Sequence, residues 1–319
     1  MTAVRERVVA YQGSDGPRQI YTETYASEAP EWRGGCIALH SGPGFGLATL
    51  RPGIEHLAAA TDVTLVDLPG CGRSSRHPGS GYPMEAYIDD IRQVRRQLAV
   101  QRPFLLGHGW GAILAVETAL EHPTDFAGVT LVNPLRVLNG SGQDGEAQAR
   151  QVERVDHTLL TRFSSDVLPK LQQAMQGLGP WADVESDPWW PQMWLTQWAG
   201  PPSPAWQDSV DRVTPGLEAY FAHKGMAMFD PQSRWARYDL AERLGALGKP
   251  ATVLASQHDA NYVALPMVHV DPLRKARPDL PVDIVADGGH FLMAESPAVV
   301  VGHLRRRMLP HLLGKPVSR

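Results

Sequence analysis

The chain has 319 residues, enough to bury a large core as one elaborated domain. Its formal net charge is −4 and no basic run occurs, which excludes nucleic acid and anionic membrane surfaces as expected partners. No apolar stretch approaches the roughly 18 residues of a membrane span, and the opening Met1-Thr2-Ala3-Val4-Arg5-Glu6-Arg7 lacks a signal-peptide core, so the expected location is the cytoplasm.

Alternation near 8–12 and 19–25 predicts an antiparallel hairpin at the start of the chain. Strands are predicted near 35–39, 63–67, 103–107, 128–132, 250–255 and 282–286, with helices near 84–100, 112–122 and 297–312. Alternating strands and helices imply an α/β fold, with a mostly parallel sheet and helices on both faces. The span 133–249 is too long for a strand-to-helix connection. It is helix-rich in pattern and holds seven of the nine tryptophans. It is read as a helical lid inserted into a core formed by 1–132 and 250–319.

Motifs sit at the predicted strand ends. The run Pro103-Phe104-Leu105-Leu106 enters Gly107-His108-Gly109-Trp110-Gly111 and then the alanine-rich run 112–116. That is the setting of a nucleophile elbow, G-x-S-x-G, in which a serine sits on a tight strand-to-helix turn. Here the central residue is Gly109, which has no atom to attack with. A serine there is expected to fit, because Gly107 and Gly111 relieve the crowding. Acid and base follow the elbow in chain order. Asp259 ends Ser256-Gln257-His258-Asp259, and His290 ends Asp287-Gly288-Gly289-His290. Each lies past a predicted strand, where open α/β sheets carry their sites. A carboxylate on a histidine Nδ1–H fixes its tautomer. Asp259 is assigned this role and Asp287 is its rival. For each residue the plainer reading is a loop or cap residue. His40-Ser41-Gly42-Pro43-Gly44 reads as an oxyanion loop, with Ser41 and Gly42 in it and the Trp110 N–H as the second donor.

Cys36 and Cys71 are too few for a disulfide framework, and Cys36 falls in a predicted buried strand. No histidine–carboxylate cluster has metal-ligand spacing and no dinucleotide fingerprint occurs, so no cofactor and no metal are expected. Most lid tryptophans are expected to pack. One or two of Trp189, Trp190, Trp194 and Trp198 are expected to wall a pocket for a hydrophobic small molecule. Tyr220, Tyr238 and Tyr262 are possible donors there, with packing as the plainer role.

From His40 through Asp67-Leu68-Pro69-Gly70-Cys71-Gly72-Arg73-Ser74 to the elbow, the chain resembles the proline iminopeptidase branch of the α/β-hydrolase fold. Those enzymes carry HGGPG, D-x-x-G-x-G-x-S and G-x-S-W-G, a helical lid, and a late Asp and His. The resemblance spans about 8–312 and is weakest in the lid. It implies the α/β-hydrolase fold, and a cysteine at position 71 is common in that branch. G-H-x-W-G also resembles epoxide hydrolases and haloalkane dehalogenases, whose central residue is an aspartate. Gly109 departs from both patterns. The branch has a W-E-G-like lid element whose glutamate holds a substrate amine. In Trp194-Leu195-Thr196-Gln197-Trp198-Ala199-Gly200, Ala199 stands in its place, which argues against an aminopeptidase.

Three functions are open to such a chain. The favoured one is non-covalent acid–base chemistry by His290 and Asp259: a lyase, a cyclase, or direct attack by water. The second is a serine hydrolase inactivated by a serine-to-glycine change. The third is a binding protein without catalysis. The first two need His290, and the third does not.

Overall fold

The computed structural model describes residues 4–14, 16–76, 82–134, 167–186, 216–222, 234–235, 237–259 and 266–314. Among them, eight strands form one sheet: β1 Val4–Gly13, β2 Gly16–Tyr25, β3 Trp32–Leu39, β4 Thr61–Val66, β5 Phe104–His108, β6 Val129–Val132, β7 Ala251–Ser256 and β8 Val282–Val285. Their order is β1-β2-β4-β3-β5-β6-β7-β8. β1 and β2 pair antiparallel, β2 meets β4 antiparallel, and every later pairing is parallel. This is the α/β-hydrolase sheet that the motif order implies.

The central strands are buried on both faces, so they read as continuous apolar runs. Their side chains still alternate between two cores. Ile37, Leu39 and Leu105 face one, with Ile91 of α2 (Met84–Gln97) and Ile113 of α3 (Gly111–Glu121). Cys36, Ala38, Phe104 and Leu106 face the other, with Ile54 of α1 (Arg51–Ala58) and Val300 of Pro297–His303. The single helix expected at 297–312 is instead Pro297–His303, a π-helical turn Leu304–Met308, and Leu309–Leu312. Pro310 has no N–H for the helical ladder, which limits a regular helix there. The helices Arg51–Ala58 and Pro266–Ala276 were not expected. Pro52 and Gly53 open the first and Pro272 lies inside the second, residues of low helix propensity that hide both from the sequence.

Between β6 and β7 the described residues are helical at Val167–Met175, Ala182–Glu185, Leu217–Ala222 and Leu240–Ala246. They are tied to the sheet domain by charge and by backbone. Arg76 pairs with Glu185 and, at 3.1 Å, with Glu218. Buried Glu117 of α3 receives Arg234 at 2.6 Å and Arg243 at 2.7 Å. The Gly216 N–H donates to the Gly44 carbonyl at 3.0 Å, which links this region to the His40–Gly44 loop.

The Asp67–Ser74 turn after β4 is structural. Asp67 accepts N–H bonds from Leu47 at 2.8 Å and Arg73 at 2.9 Å. Burial pushes its carboxyl up to about 6, against the pull of those two donors. Ser74 Oγ donates to the Asp67 carbonyl and accepts the Tyr21 N–H. Gly72 has φ +54°, and a Cβ there would lie 2.1 Å from the Asp67 carboxylate. Gly72→Ala is therefore expected to destabilise the fold by more than about 2 kcal/mol, from left-handed strain plus the displaced carboxylate. An unchanged denaturant midpoint would show that the turn relaxes freely.

Candidate active site

Five neighbouring strands, β3, β5, β6, β7 and β8, deliver the site from their C-terminal ends. After β3 come His40 and Ser41, after β5 Gly109, after β6 Asn133, after β7 Asp259, and after β8 His290. The in-register pairs Leu39↔Gly107, His108↔Val132, Val132↔Leu254 and Ser256↔Val285 bring these ends level.

His290 Nδ1 and Asp259 Oδ2 are 2.9 Å apart, and both residues are buried. Asp259, not Asp287, meets the ring; Asp287 is exposed. With Nδ1–H donating to the carboxylate, Nε2 carries the lone pair. Ser41 Oγ lies 2.9 Å from that nitrogen, so its hydroxyl donates to it. Ser41 is fixed from behind. The His40 Nδ1–H donates to the Ser41 carbonyl, and His40 Nε2 accepts the Leu68 N–H at 3.1 Å. Burial holds His40 down at about 4, so it is neutral at physiological pH. Hydrogen bonds thus run from Leu68 through His40, Ser41 and His290 to Asp259.

The loop bearing His290 is braced on three sides. Asn133, in a left-handed conformation at φ +45°, donates from Nδ2 to the carbonyls of Gly289 and His290 and to Ser256 Oγ, each at 2.9 Å. Its Oδ1 accepts the Ser256 N–H at 2.7 Å. Glu295 accepts the N–H groups of Gly289 and Phe291. His108 Nε2 donates to the His290 carbonyl at 2.7 Å, and the two rings sit 4.5 Å apart. Burial, and then the neighbouring His290, hold His108 well below the ordinary histidine range. Asn133 and His108 were not among the expected site residues. The signal for Asn133 was its place directly after an apolar strand run, where sites of this fold gather.

The elbow is as tight as its sequence implies. A Cβ at Gly107 would come within 2.5 Å of Ala112 Cα, and one at Gly111 within 2.5 Å of the Leu39 carbonyl. Gly109 has φ +54°, and a Cβ there would lie 3.1 Å from His290 Cε1 but 2.3 Å from Ser41 Oγ. The expectation that a side chain fits at position 109 without difficulty is corrected here. Gly107 and Gly111 relieve the crowding from the turn, but Ser41 on the facing loop fills the space.

Gly42 and Trp110 meet across the site, a Cβ on Gly42 falling 3.6 Å from the Trp110 ring. Trp110 is buried and packs at 4.9 Å against Tyr87 and 5.4 Å against Trp235. Trp235 and Tyr238 belong to the core beneath, which is the packing role. Trp189, Trp190, Trp194, Trp198, Ala199 and Tyr262 lie outside the described residues. Burial pushes Cys71 up to about 12 and raises Cys36 further, so both are thiols rather than thiolates. A groove lined by Arg5, Arg7, Arg33 and Asp62 lies at the opposite end of the sheet and holds none of these residues. Among the described residues no cluster of His, Cys, Asp or Glu suits a metal, and no helix is long and apolar enough to cross a membrane.

A sheet of this order, with its elbow and a late His–Asp pair at one edge, defines the scaffold of a hydrolytic enzyme class. The chain belongs to the α/β-hydrolase fold family, whose profile matches residues 37–208. It is 32% identical to a proline iminopeptidase of Heyndrickxia coagulans over 99 residues, which is 31% of this chain and only 34% of that protein. It is 26% identical to a putative carbamate hydrolase, RutD, of Variovorax paradoxus over 81% of this chain and 85% of that one. The crystal structure of proline iminopeptidase from Mycobacterium smegmatis superposes with a TM-score of 0.62 at 19% identity, covering 97% of this chain and 99% of the other. That last likeness is one of fold.

Proposed function

We propose that the protein is a hydrolase of small acyl compounds, with His290 as general base, Asp259 as its orienting carboxylate, and the Gly42 and Trp110 backbone N–H groups as oxyanion donors. The observation that carries this reading is the buried 2.9 Å Asp259–His290 contact, which leaves Nε2 facing the elbow and the His40–Gly44 loop. A base with a fixed tautomer, set against backbone donors, suits addition to a carbonyl carbon. Two relatives are named for cleavage at a carbonyl bound to nitrogen, which fits the same bond class. Ala199 at the position of the amine-binding glutamate makes a free amino group an unlikely handle, so neutral esters, amides or carbamates are the proposed substrates.

The insertion 133–249 is proposed as the lid, with Trp189, Trp190, Trp194 and Trp198 as an aromatic wall of the pocket. The site is proposed to work without metal or cofactor, in the cytoplasm. Gly109 favours a second reading, in which the same His–Asp pair runs a lyase or cyclase reaction. Turnover of p-nitrophenyl esters and anilides by wild-type and His290→Ala proteins tests the first. Hydrolysis by the wild type that is lost in the variant supports it. No hydrolysis by the wild type, or equal rates, overturns it.

A further inference from the structure

We infer that Ser41 is the catalytic nucleophile, its hydroxyl reaching from the loop after β3 into the space that a side chain on the β5–α3 elbow would fill. The inference rests on the proposed hydrolase reading and adds to it the attacking atom.

Two distances converge on Ser41 Oγ. It lies 2.9 Å from His290 Nε2, within the reach a base needs to take its proton. It also lies 2.3 Å from where a Cβ on Gly109 would stand, so the hydroxyl and an elbow side chain compete for one volume. Gly109 carries no side chain to cover that hydroxyl. The tautomer agrees, because Nδ1–H is committed to Asp259 and Nε2 is left to accept. Ser41 is held on its carbonyl side by His40, and the neighbouring Gly42 meets the Trp110 ring. A serine that merely filled space would not need its hydroxyl aimed at His290 Nε2. Neither cysteine is an alternative, since Cys71 Sγ donates to the Pro69 carbonyl and Cys36 lies within β3 in the core.

The chemistry balances with water as the only co-reactant. Ser41 Oγ bonds to the acyl carbon while its proton passes to His290 Nε2, and the carbonyl electron pair moves onto oxygen. Collapse breaks the bond to the leaving group, which takes the proton from Nε2. Water then adds to the acyl-serine, its proton going to Nε2, and the acid departs as Ser41 Oγ recovers that proton.

The test uses the full chain and a fluorophosphonate, with intact mass and peptide mapping, alongside p-nitrophenyl ester turnover. The expected result is one phosphonyl adduct on the peptide containing Ser41. Ser41→Ala should abolish the adduct and lower turnover about 10³-fold or more. Ser41→Cys serves as the second variant. Iodoacetamide should alkylate it at position 41 at least about 100-fold faster than it alkylates Cys36 or Cys71, as for a thiol activated by a histidine. No adduct on the wild-type protein, an adduct at another residue, or failure of the cysteine variant to react overturns the inference. If Ser41→Ala keeps its turnover within about tenfold while His290→Ala loses it, Ser41 is not the nucleophile and the acid–base reading stands. If neither substitution changes turnover, both readings fall.

Discussion

His290→Ala is expected to lower kcat for an activated ester by about 10³–10⁵-fold, with KM changed little. The imidazole touches the moving proton, not the body of the substrate, so its loss weakens the transition state and leaves binding. Truncating a buried ring also opens a cavity next to His108 and Phe291, whose rings lie 4.5 and 4.9 Å from it. His290→Gln, closer in volume, separates the chemical effect from that packing effect. Asp259→Asn should cost a comparable factor near neutral pH, because an amide in that place can favour the wrong tautomer of His290. These groups act on one proton, so the penalties should not add. A His290→Ala, Asp259→Asn double variant should be no slower than about the worse single one. Steady-state kinetics alongside thermal melting provides the check. A double variant whose loss is the product of the two single losses would mean that the pair does not work as a unit.

The sequence made most of this fold legible, and the reasons lie in particular residues. The runs Cys36–Leu39 and Phe104–Leu106 are apolar throughout, and Val129–Val132 is apolar but for Thr130, because both faces of those strands meet a core. Asp259 and His290 could be placed because each ends a loop leaving a predicted strand. Helices containing Pro52, Gly53 or Pro272 were not visible, since helix-breaking residues outweigh a short amphipathic pattern. Gly53 stays in its helix because the Met293 carbonyl would lie 2.7 Å from a Cβ there, a long-range contact that no local rule reports. The His290 brace by Asn133 spans 156 and 157 residues of chain, so nothing local announces it. Ser41 was visible as a residue but not in its orientation. In the sequence it reads as part of an oxyanion loop, where the resembled pattern has glycine, and with Cys71 as a candidate for a cryptic nucleophile. The elbow read as deprived of its serine. Only the meeting of the two loops shows that a hydroxyl stands beside the histidine.

Moving the hydroxyl back across the site should move the reaction with it. Gly109→Ser alone is expected to lower stability, because its Cβ would stand 2.3 Å from Ser41 Oγ and its φ of +54° strains any residue with a side chain. Together these should exceed about 1 kcal/mol, read as a drop in melting temperature. Ser41→Gly alone should fold, lose the attacking atom, and fall about 10³-fold or more in ester turnover. The double variant Ser41→Gly, Gly109→Ser should relieve the crowding and set one hydroxyl in the shared space beside His290 Nε2. The proposed oxyanion donors are backbone groups, so all three changes leave them in the chain. Turnover of the double variant is expected to recover to at least about 10-fold above Ser41→Gly, and the phosphonyl adduct should shift from the peptide holding position 41 to the one holding position 109. This result would show that the scaffold accepts its nucleophile from either loop. A double variant that folds, keeps the melting temperature of Ser41→Gly, and gains neither adduct nor turnover would mean that the space between Gly109 and His290 is not where attack takes place.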